Sequence, residues 1–313
     1  MSALCNVGVD VSKDSFDIFV HETSVHKKFK MSKEQINEAV TWLGEQNPTL
    51  IVLEATGGYE HTLVTELVTA ELPVAVMNPR RIRDFAKAIG KLAKTDKVDA
   101  AVIAMYAATI KPEANAVIDE QREQLAALTT RRRQLVNMRA TEKNHKEHAR
   151  LPKIRKSIDA IIQNLTAEIK RIEAEITKLI SKDPDMRNKT KILSSVPGIG
   201  PATAAVLVAD LPELGTINRK EIAALVGVAP MNRDSGQFRG KRMTGSGRKH
   251  IRTALFMAML SIIQYNKPLK AFYDRLVKQG KAKMVALVAA MRKLLTILNT
   301  MLKSNTSWEP KIA

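Results

Sequence analysis

An aliphatic repeat constrains the middle of this chain. Seven residues recur at alternating steps of four and three, namely Ile158, Ile162, Leu165, Ile169, Ile172, Ile176 and Leu179. Such a repeat places all its members on one narrow stripe of a helix, as the a and d positions of a coiled coil do. Residues 121–149 also have helical spacing, and Pro152 separates the two segments because proline ends a helix. The sequence therefore predicts two long helices that pair as an antiparallel hairpin.

The first 110 residues alternate between strand and helix patterns. Strands are predicted at residues 6–11, 16–21, 25–31, 50–53 and 74–77, and helices at residues 33–46, 59–71, 80–91 and 98–110. Three strands followed by helix, strand, helix, strand and helix is the element order of the ribonuclease H-like fold, an analogy of order alone. We expect an α/β domain at residues 1–112, a coiled-coil region at 113–188 and a mainly helical domain at 189–313.

The charge of the chain is strongly basic and unevenly distributed. The 313 residues carry a formal net charge of +18. Counted by segment, residues 1–110 have 12 basic and 14 acidic residues, residues 111–190 have 18 and 12, and residues 191–313 have 20 and 6. This distribution predicts that the later part binds a polyanion such as nucleic acid. Binding to a membrane surface is less favoured, because no basic amphipathic helix carries aromatic anchors.

Other features bear on the cellular compartment. No apolar run approaches the roughly 18 residues of a membrane span, and no signal-peptide pattern opens the chain. Cys5 is the single cysteine, which excludes an internal disulfide and is typical of a reducing cytoplasm. We therefore expect a cytoplasmic protein with no membrane partner.

Two carboxylates lie on predicted buried strands. Asp10 interrupts the apolar run "VGVDV", and Glu54 ends the run "IVLE". A carboxylate in such a strand is costly unless it is paired or bound to a metal. An acid at the solvent edge is the commoner explanation for either residue alone. If the two strands are neighbours, Asp10 and Glu54 lie at comparable depth in the sheet.

A second pair of carboxylates begins a predicted helix. Asp96 and Asp99 in "KTDKVDAA" are three residues apart and lie on one helical face. Capping is the simple explanation, with Asp96 as the N-cap and Asp99 as a first-turn acid. Four acids without a nearby His or Cys instead suit Mg²⁺ or Mn²⁺, and two such ions would clamp a scissile phosphate. We favour this metal site.

A basic segment near residue 235 contains a candidate nucleophile. Residues 235–273 include eight Lys or Arg and no Asp or Glu. Ser235 lies there in a glycine-flanked turn, where its hydroxyl would face phosphate, and nearby guanidinium groups would stabilise a pentavalent phosphorus. Taken alone, the spacing favours a turn-forming serine whose arginine neighbours only grip the nucleic-acid backbone. The candidate contacts are Arg239, Lys241, Arg242, Arg248, Lys249 and Arg252.

A glycine-rich turn opens the last third of the chain. In "SVPGIGPAT", Gly198 and Gly200 stand between apolar residues ahead of an Ala- and Val-rich helix. This arrangement is typical of a helix-hairpin-helix element, whose backbone N–H groups hold a DNA phosphate. An ordinary turn between helices has the same signature.

Taken together, these motifs resemble a known family. The stretches "GVDVSK", "LEATGGYE", "NPRRIRDFAKA", "KTDKVDA", "SVPGIGPATAAVLVAD" and "FRGKRMTGSGRKHIRTALFMA" are similar, in order and spacing, to transposases of the insertion sequence 110 family, relatives of the Piv and MooV invertases. The resemblance covers nearly the whole chain.

The resemblance implies fold, site and partners. It implies a RuvC-like domain whose four metal-site acids are Asp10, Glu54, Asp96 and Asp99, a coiled-coil middle, and a C-terminal domain with Ser235 as nucleophile. It also implies a structured non-coding bridge RNA that pairs with donor and target DNA, and a homo-oligomer, a tetramer built as a dimer of dimers. Such a protein is bacterial and works at the nucleoid.

The sequence thus predicts a metal-dependent, RNA-guided DNA recombinase that moves its own element through a phosphoserine link. Three alternatives remain. A RuvC-like nuclease or junction resolvase would use water as nucleophile. A sugar-kinase-like enzyme would need a second phosphate loop and an adenosine motif, and neither is found. A non-catalytic nucleic-acid-binding protein would tolerate loss of all four acids.

Overall fold

The computed structural model describes residues 4–91, 95–114, 119–231, 234–235, 238–240, 243–245 and 247–309, with residues 234, 235, 238 and 239 described by their backbone alone. The chain divides into two compact units, Met1–Asp119 and Glu120–Ala313. The first is an α/β unit and the second is mostly helical. By sequence, the second unit carries 37 basic and 16 acidic residues, a net charge of +21, and the first unit is slightly acidic with 13 basic and 16 acidic residues.

The first unit is built on a mixed sheet of five strands. The strands are β1 (Asn6–Val11), β2 (Ser15–Val20), β3 (His26–Lys30), β4 (Leu50–Glu54) and β5 (Val74–Met77). Their order across the sheet is β3-β2-β1-β4-β5. The β1–β2 and β2–β3 pairs are antiparallel, whereas β1–β4 and β4–β5 are parallel. This topology is consistent with the ribonuclease H-like order predicted from sequence. The more specific RuvC-like assignment stays a prediction.

Helices cover both faces of this sheet. They are α1 (Lys33–Glu45), α2 (His61–Thr69), α3 (Pro79–Ala88) and α4 (Asp96–Ile110). Val7 and Val9 of β1 belong to a core with buried residues of α1 and α2, including Leu43 and Leu63. Residues of α4 and of strands β4 and β5 form a second core. Because side chains alternate along a strand, β1 presents even-numbered residues to α4.

A long helical hairpin begins the second unit, as the sequence predicted. It consists of α5 (Glu120–His148) and α6 (Pro152–Lys182). Three polar contacts join the helices, from Arg132 to Glu173, from Arg139 to Thr166 and from Lys146 to Asp159. Each contact lies seven residues from the next on both helices, in opposite chain directions. The hairpin is therefore an antiparallel coiled coil with a constant register.

The aliphatic stripe of α6 is buried over only part of its length. Ile158, Ile169, Ile172 and Ile176 are buried, as predicted. In contrast, Ile162, Leu165 and Leu179 are half-buried, and Ile180 outside the predicted repeat is buried instead. Ile169, Ile172, Ile176 and Ile180 share a core with the helices that follow, so the end of α6 packs against more than its hairpin partner.

Six further helices follow among the described residues of the second unit. They are α7 (Pro184–Ser194), α8 (Pro201–Asp210), α9 (Arg219–Val226), α10 (Lys249–Tyr265), α11 (Lys267–Lys278) and α12 (Lys283–Ser304). The short strands β6 (Asp234–Ser235) and β7 (Phe238–Arg239) form an antiparallel pair ahead of α10.

Helix α12 corrects one expectation. It is long and apolar enough, by length and composition, to cross a membrane, so the prediction that no segment reaches that length was wrong. Arg292 and Lys293 interrupt this apolar helix, but apolar residues flank them on both sides. Half of the most apolar 18-residue stretch of α12 is buried inside the protein. Asn299 of α12 is also buried, accepting a hydrogen bond from the Gly215 N–H and donating one to the Ile217 carbonyl. These contacts make α12 a core helix of the second unit.

Candidate active site

Three carboxylates lie in one row across the sheet of the first unit. Asp10 of β1 is paired directly with Asp17 of β2. On the other side of β1, Val9 is paired with Leu53 in a parallel register, which places Asp10 beside Glu54 at the next position. Residues that face each other across paired strands point to the same side of the sheet. Asp10, Glu54 and Asp17 therefore share the side that α4 covers.

Helix α4 lies against β1 because Gly8 has no side chain. A Cβ atom at Gly8 would be 2.1 Å from the Ala104 nitrogen and 2.3 Å from the Ala100 carbonyl oxygen. Gly8 and Asp10 are two residues apart and face the same way. Ala100 follows Asp99 and lies one helical turn after Asp96. The close approach at Gly8 thus positions the first turn of α4, with both its aspartates, on the side of the sheet that carries Asp10.

The N-cap of α4 is Thr95, whose side chain accepts a hydrogen bond from the Val98 N–H. The interpretation of Asp96 as the N-cap is therefore wrong, because both aspartates lie inside the first turn. Thr95 satisfies the orphan N–H group that Asp96 would have served. Asp99 is half-buried and the Asp96 side chain is 62% exposed, and both carboxylates complement the positive end of the helix.

Sequence reasoning missed three residues around Asp96. Asp17 is 3% exposed, and its carboxylate contacts His26 Nε2 at 2.7 Å and Lys28 Nζ at 3.2 Å. The same ammonium donates to Asp96 Oδ2 at 3.1 Å. These hydrogen bonds, first to Asp96 and then to Asp17, raise the pKa of Lys28 above its ordinary value. The signal in the sequence was an acid inside the apolar strand "SFDIFV", the same pattern that singled out Asp10.

The donor set suits a hard divalent cation, although the acids are not gathered for one. Among the described residues, no three His, Cys, Asp or Glu are grouped closely enough to hold a metal ion. Asp10, Glu54, Asp96 and Asp99 all have oxygen ligands and belong to elements that meet on one side of the sheet. Asp96 is engaged by Lys28. The residues therefore fit Mg²⁺ or Mn²⁺ in their donor chemistry, and the Asp96 side chain would have to move for all four to bind one site.

A buried glutamate orders the loop that follows Glu54. Glu60 is 6% exposed and accepts hydrogen bonds from the Thr56 hydroxyl at 2.6 Å and the Gly58 N–H at 2.9 Å. Burial raises the pKa of Glu60, but these hydrogen bonds outweigh burial and the net pKa lies below the ordinary value. Gly57 and Gly58 have φ angles of 87° and 132°, which favour glycine. The "EATGGYE" stretch is thus a fixed loop beside a candidate ligand.

The candidate nucleophile lies in a short hairpin of the second unit. Ser235 ends β6 and is paired with Phe238 of β7, while Asp234 is paired with Arg239. Met231 and Met243 form a further bridge at the base of the hairpin. Lys241, Arg242 and Ser246 lie outside the described residues. The predicted turn after Ser235 also lies outside the described residues, and the catalytic role of Ser235 stays a prediction.

Two of the predicted phosphate contacts bind the protein itself. Arg248 donates two hydrogen bonds of 2.6 Å to the Glu213 carboxylate and one of 3.0 Å to the Asp210 carbonyl. Arg252 donates to the Val226 carbonyl at the end of α9. Lys249 is exposed at the start of α10. Arg248 and Arg252 therefore hold α8, α9 and α10 together at the start of α10, just after the β6–β7 hairpin that contains Ser235 (the serine hairpin).

The backbone at Gly247 completes this joint. Gly247 has a φ of 65°, and a Cβ there would be 2.4 Å from the Leu225 carbonyl oxygen and 2.6 Å from the Gly227 nitrogen. The next residue, Arg248, donates its backbone N–H to Leu225. The chain leaving the serine hairpin is thus packed directly on the end of α9.

The predicted phosphate-binding turn links α7 to α8. Gly198 has a φ of 98°, and a Cβ there would meet the Ile262 backbone of α10 at 2.9 Å, so this glycine is needed for packing. Gly200 is the N-cap of α8 and makes no side-chain capping bond. The start of α8 borders a pocket of about 760 Å³ that Arg187 and Lys191 also line. Cations beside a helix N-terminus favour an anion there.

Comparison with known proteins now gives the class. Residues 7–151 match a family described as a transposase, the DEDD transposase of IS110, and residues 190–274 match one described as "Transposase IS116/IS110/IS902 family". The chain is 28% identical over 320 residues to a pilin gene-inverting protein of Moraxella bovis, covering 98% of both chains. It is 24% identical to a putative transposase of Sinorhizobium fredii, covering 97% of this chain and 86% of the other. It is also 27% identical over 165 residues to an uncharacterized IS110 protein of Streptomyces coelicolor.

An acidic α/β unit followed by a basic helical unit, with these matches in both, defines a transposase, an enzyme that acts on DNA. More narrowly, the chain belongs to the IS110 family of transposases. The resemblance inferred from the sequence motifs is confirmed.

Proposed function

We propose that this transposase cuts and rejoins DNA strands by phosphoryl transfer, with Asp10, Glu54, Asp96 and Asp99 as the metal-site acids. The observation that carries the proposal is the β1–β4 register, which sets Asp10 beside Glu54 on the side of the sheet where α4 begins. Mg²⁺ or Mn²⁺ bound by these carboxylates would polarise a scissile phosphate and make a hydroxyl easier to deprotonate.

The chain's own nucleophile is Ser235 in this proposal. Its hydroxyl oxygen attacks phosphorus, the bond from phosphorus to one bridging DNA oxygen breaks, and that oxygen leaves as a free DNA hydroxyl. The serine proton passes through a base to that leaving oxygen, and a DNA strand stays joined to the protein as a phosphodiester. A DNA hydroxyl then attacks the same phosphorus and returns the proton to Ser235. The number of phosphoester bonds is unchanged, so the strand is resealed without an external energy source.

His250 is the histidine nearest to Ser235 in the sequence, and it is not close. That residue lies 3.4 Å from Asp210 and is fifteen positions beyond Ser235. We therefore assign activation of the hydroxyl to the acidic site. Ser235 and the acids belong to different compact units, which leaves assembly either within one chain or between protomers. A homo-oligomer, a dimer of dimers, is part of the proposal.

Nucleic-acid partners follow from charge. The second unit carries the positive excess, and Arg239, Lys241, Arg242 and Lys249 are the proposed phosphate contacts near the nucleophile. Gly200 and the start of α8 are a second proposed contact. We also propose that a bridge RNA chooses donor and target DNA, on the family resemblance alone, and that the protein acts in the bacterial cytoplasm. Sequencing RNA that copurifies with the full chain tests that part, because recovery of no element-derived RNA would remove it.

A nuclease or junction resolvase is the second candidate, since the acidic site alone suits metal-activated water as nucleophile. Incubating the full chain with its element DNA and Mg²⁺, then resolving products on a denaturing gel, separates the two functions. The recombinase predicts DNA bound covalently to protein and rejoined strands. A hydrolase predicts free ends alone. Activity that survives in Asp10→Asn would exclude the acidic site from both.

A further inference from the structure

Lys28 of β3 contacts two carboxylates on the side of the sheet that α4 covers. Its ammonium lies 3.1 Å from Asp96 Oδ2 on α4 and 3.2 Å from Asp17 Oδ2 on β2. Asp96 is one of the proposed metal-site acids, and Asp17 is the cross-strand neighbour of another, Asp10. A cation of the protein therefore occupies a carboxylate that a metal ion would need.

The two contacts of Lys28 differ in character. The Asp17 side chain is 4% exposed and is also held by His26. A buried carboxylate that loses its partner is strongly penalised, so this contact is durable. The Asp96 side chain is 62% exposed, and ion pairs between exposed groups contribute little. Asp17 thus keeps the ammonium at the site, while Asp96 exchanges partners easily.

Carboxylates that face the same side of a sheet repel one another when no cation is bound. Lys28 places one positive charge against two of the acids there. The neighbouring residue Lys27 gives no such relief, because its ammonium lies over the Trp42 ring, 4.3 Å from the centroid. Adjacent strand residues face opposite sides of the sheet, which accounts for the difference.

We propose that Lys28 is a built-in counter-ion of the acidic site, which occupies Asp96 in the metal-free protein and gives it up when a divalent cation binds. The inference rests on the proposed metal site. It assigns Lys28 the role of setting the affinity for metal, with Asp17 as the residue that holds Lys28 in place.

If Lys28 instead positions Asp96 for the metal, removing Lys28 should change the metal affinity in the opposite direction. If Lys28 instead oriented Asp96 for the metal, removing the ammonium would weaken metal binding. If Lys28 competes with the metal, removing it strengthens binding. The sign of one affinity change therefore decides between the two roles.

The experiment is a Mn²⁺ titration of the full chain without nucleic acid, with free Mn²⁺ measured by electron paramagnetic resonance. Lys28→Gln removes the charge but keeps a hydrogen-bond donor for Asp17. Lys27→Gln is the matched control, because it changes the same residue type at the next position on the other side of the sheet. We expect Lys28→Gln to bind Mn²⁺ about 3- to 10-fold more tightly than wild type, and Lys27→Gln to match wild type within about twofold. Lys28→Arg, which keeps the charge, should also match wild type.

The outcomes separate this inference from the proposed function. Unchanged or weaker Mn²⁺ binding in Lys28→Gln, with stoichiometric binding by wild type, would overturn the counter-ion and leave the metal site standing. Mn²⁺ binding that Asp10→Asn does not reduce would overturn the metal site and the counter-ion with it. If Lys28→Gln does not fold, Lys28→Met, which keeps the aliphatic stem, gives the same comparison.

Discussion

Gly8 and Ala104 touch through their backbones, since a Cβ on Gly8 would stand 2.1 Å from the Ala104 nitrogen. Gly8→Ala should therefore push α4 away from β1 and destabilise the protein by about 1–3 kcal/mol, the usual range for overpacking. Urea unfolding measures this change. Gly44→Ala is the control, because a Cβ there meets nothing within 4 Å. As Gly44 lies in α1, alanine should be neutral or stabilising. Equal stability of Gly8→Ala and wild type would disprove the close approach.

Charge at the acidic site gives a second prediction. Asp10→Asn should abolish DNA cleavage and, in the presence of a chelator, raise the thermal midpoint, because one member of a repelling set of anions becomes neutral. Differential scanning calorimetry with and without Mn²⁺ measures both effects. Asp14→Asn is the control, since Asp14 is exposed in the β1–β2 turn. Full cleavage activity of Asp10→Asn in Mg²⁺ would remove Asp10 from the site.

The joint between Arg248 and Glu213 makes stability depend on pH. Burial raises the pKa of Glu213, but the Arg248 hydrogen bonds and charge outweigh burial and depress the net pKa. A depressed pKa means that the ionised group stabilises the folded state above its unfolded pKa of about 4.3, and that this stabilisation is lost as pH falls through the folded pKa.

Glu213→Gln should therefore cost about 1–3 kcal/mol at pH 7, and the difference from wild type should shrink below about pH 4. Unfolding curves at pH 7, 5 and 3.5 test this dependence. Glu221→Gln is a useful control on α9, because Glu221 serves only the exposed capping box there. A stability difference that is constant across this pH range would show that Arg248 does not stabilise ionised Glu213.

Phosphate contacts near the nucleophile should appear in the salt dependence of binding. Each lost phosphate contact makes the negative slope of the log binding constant against log salt shallower by about 0.9 for duplex DNA. Arg239→Ala with Arg242→Ala should make the slope shallower by up to about 2 on this basis, as measured by fluorescence anisotropy. The matched double control is Arg171→Ala with Lys189→Ala, whose cations already pair with acids on their own helices. An unchanged slope in the first pair would exclude Arg239 and Arg242 from contact with phosphate.

Part of the fold and of the candidate site was predicted from sequence patterns, and the predictions that failed did so for physical reasons. The order of strands and helices along the first unit was predicted from its apolar runs. The proximity of Asp10 and Glu54 was predicted only on the condition that their strands are neighbours, and the β1–β4 pairing meets that condition. Asp17 interrupts an apolar strand as Asp10 does, but its partners His26 and Lys28 belong to the paired strand β3, and that pairing is a tertiary fact. Leu165 and Leu179 pack against the core but are only half-buried, which the sequence does not show, because a heptad repeat predicts which stripe of a helix faces its partner and not how completely each position is covered. Arg248 reads as a phosphate contact in a basic run, yet Glu213, 35 residues away, binds it.

Mixing inactive variants tests how the active sites are assembled. Ser235→Ala supplies the acids without the nucleophile, and Asp10→Asn supplies the nucleophile without a complete acidic site. If sites are shared between protomers, a mixture of the two should recover part of the recombination that neither shows alone. Each variant mixed with wild type is the control for subunit exchange. A mixture that stays inactive while subunits exchange would place each site within one chain.

The most direct measurement is the covalent adduct between protein and DNA, trapped by denaturation during the reaction and identified by mass spectrometry of the linked peptide. The account predicts an adduct on the peptide that contains Ser235 in wild type. Ser235→Ala should form no adduct while keeping its affinity for nucleic acid. An adduct that persists in Ser235→Ala, with Ser246 the next residue to examine, would contradict Ser235 as the nucleophile. Strand cleavage by wild type without any adduct would contradict the serine mechanism as a whole.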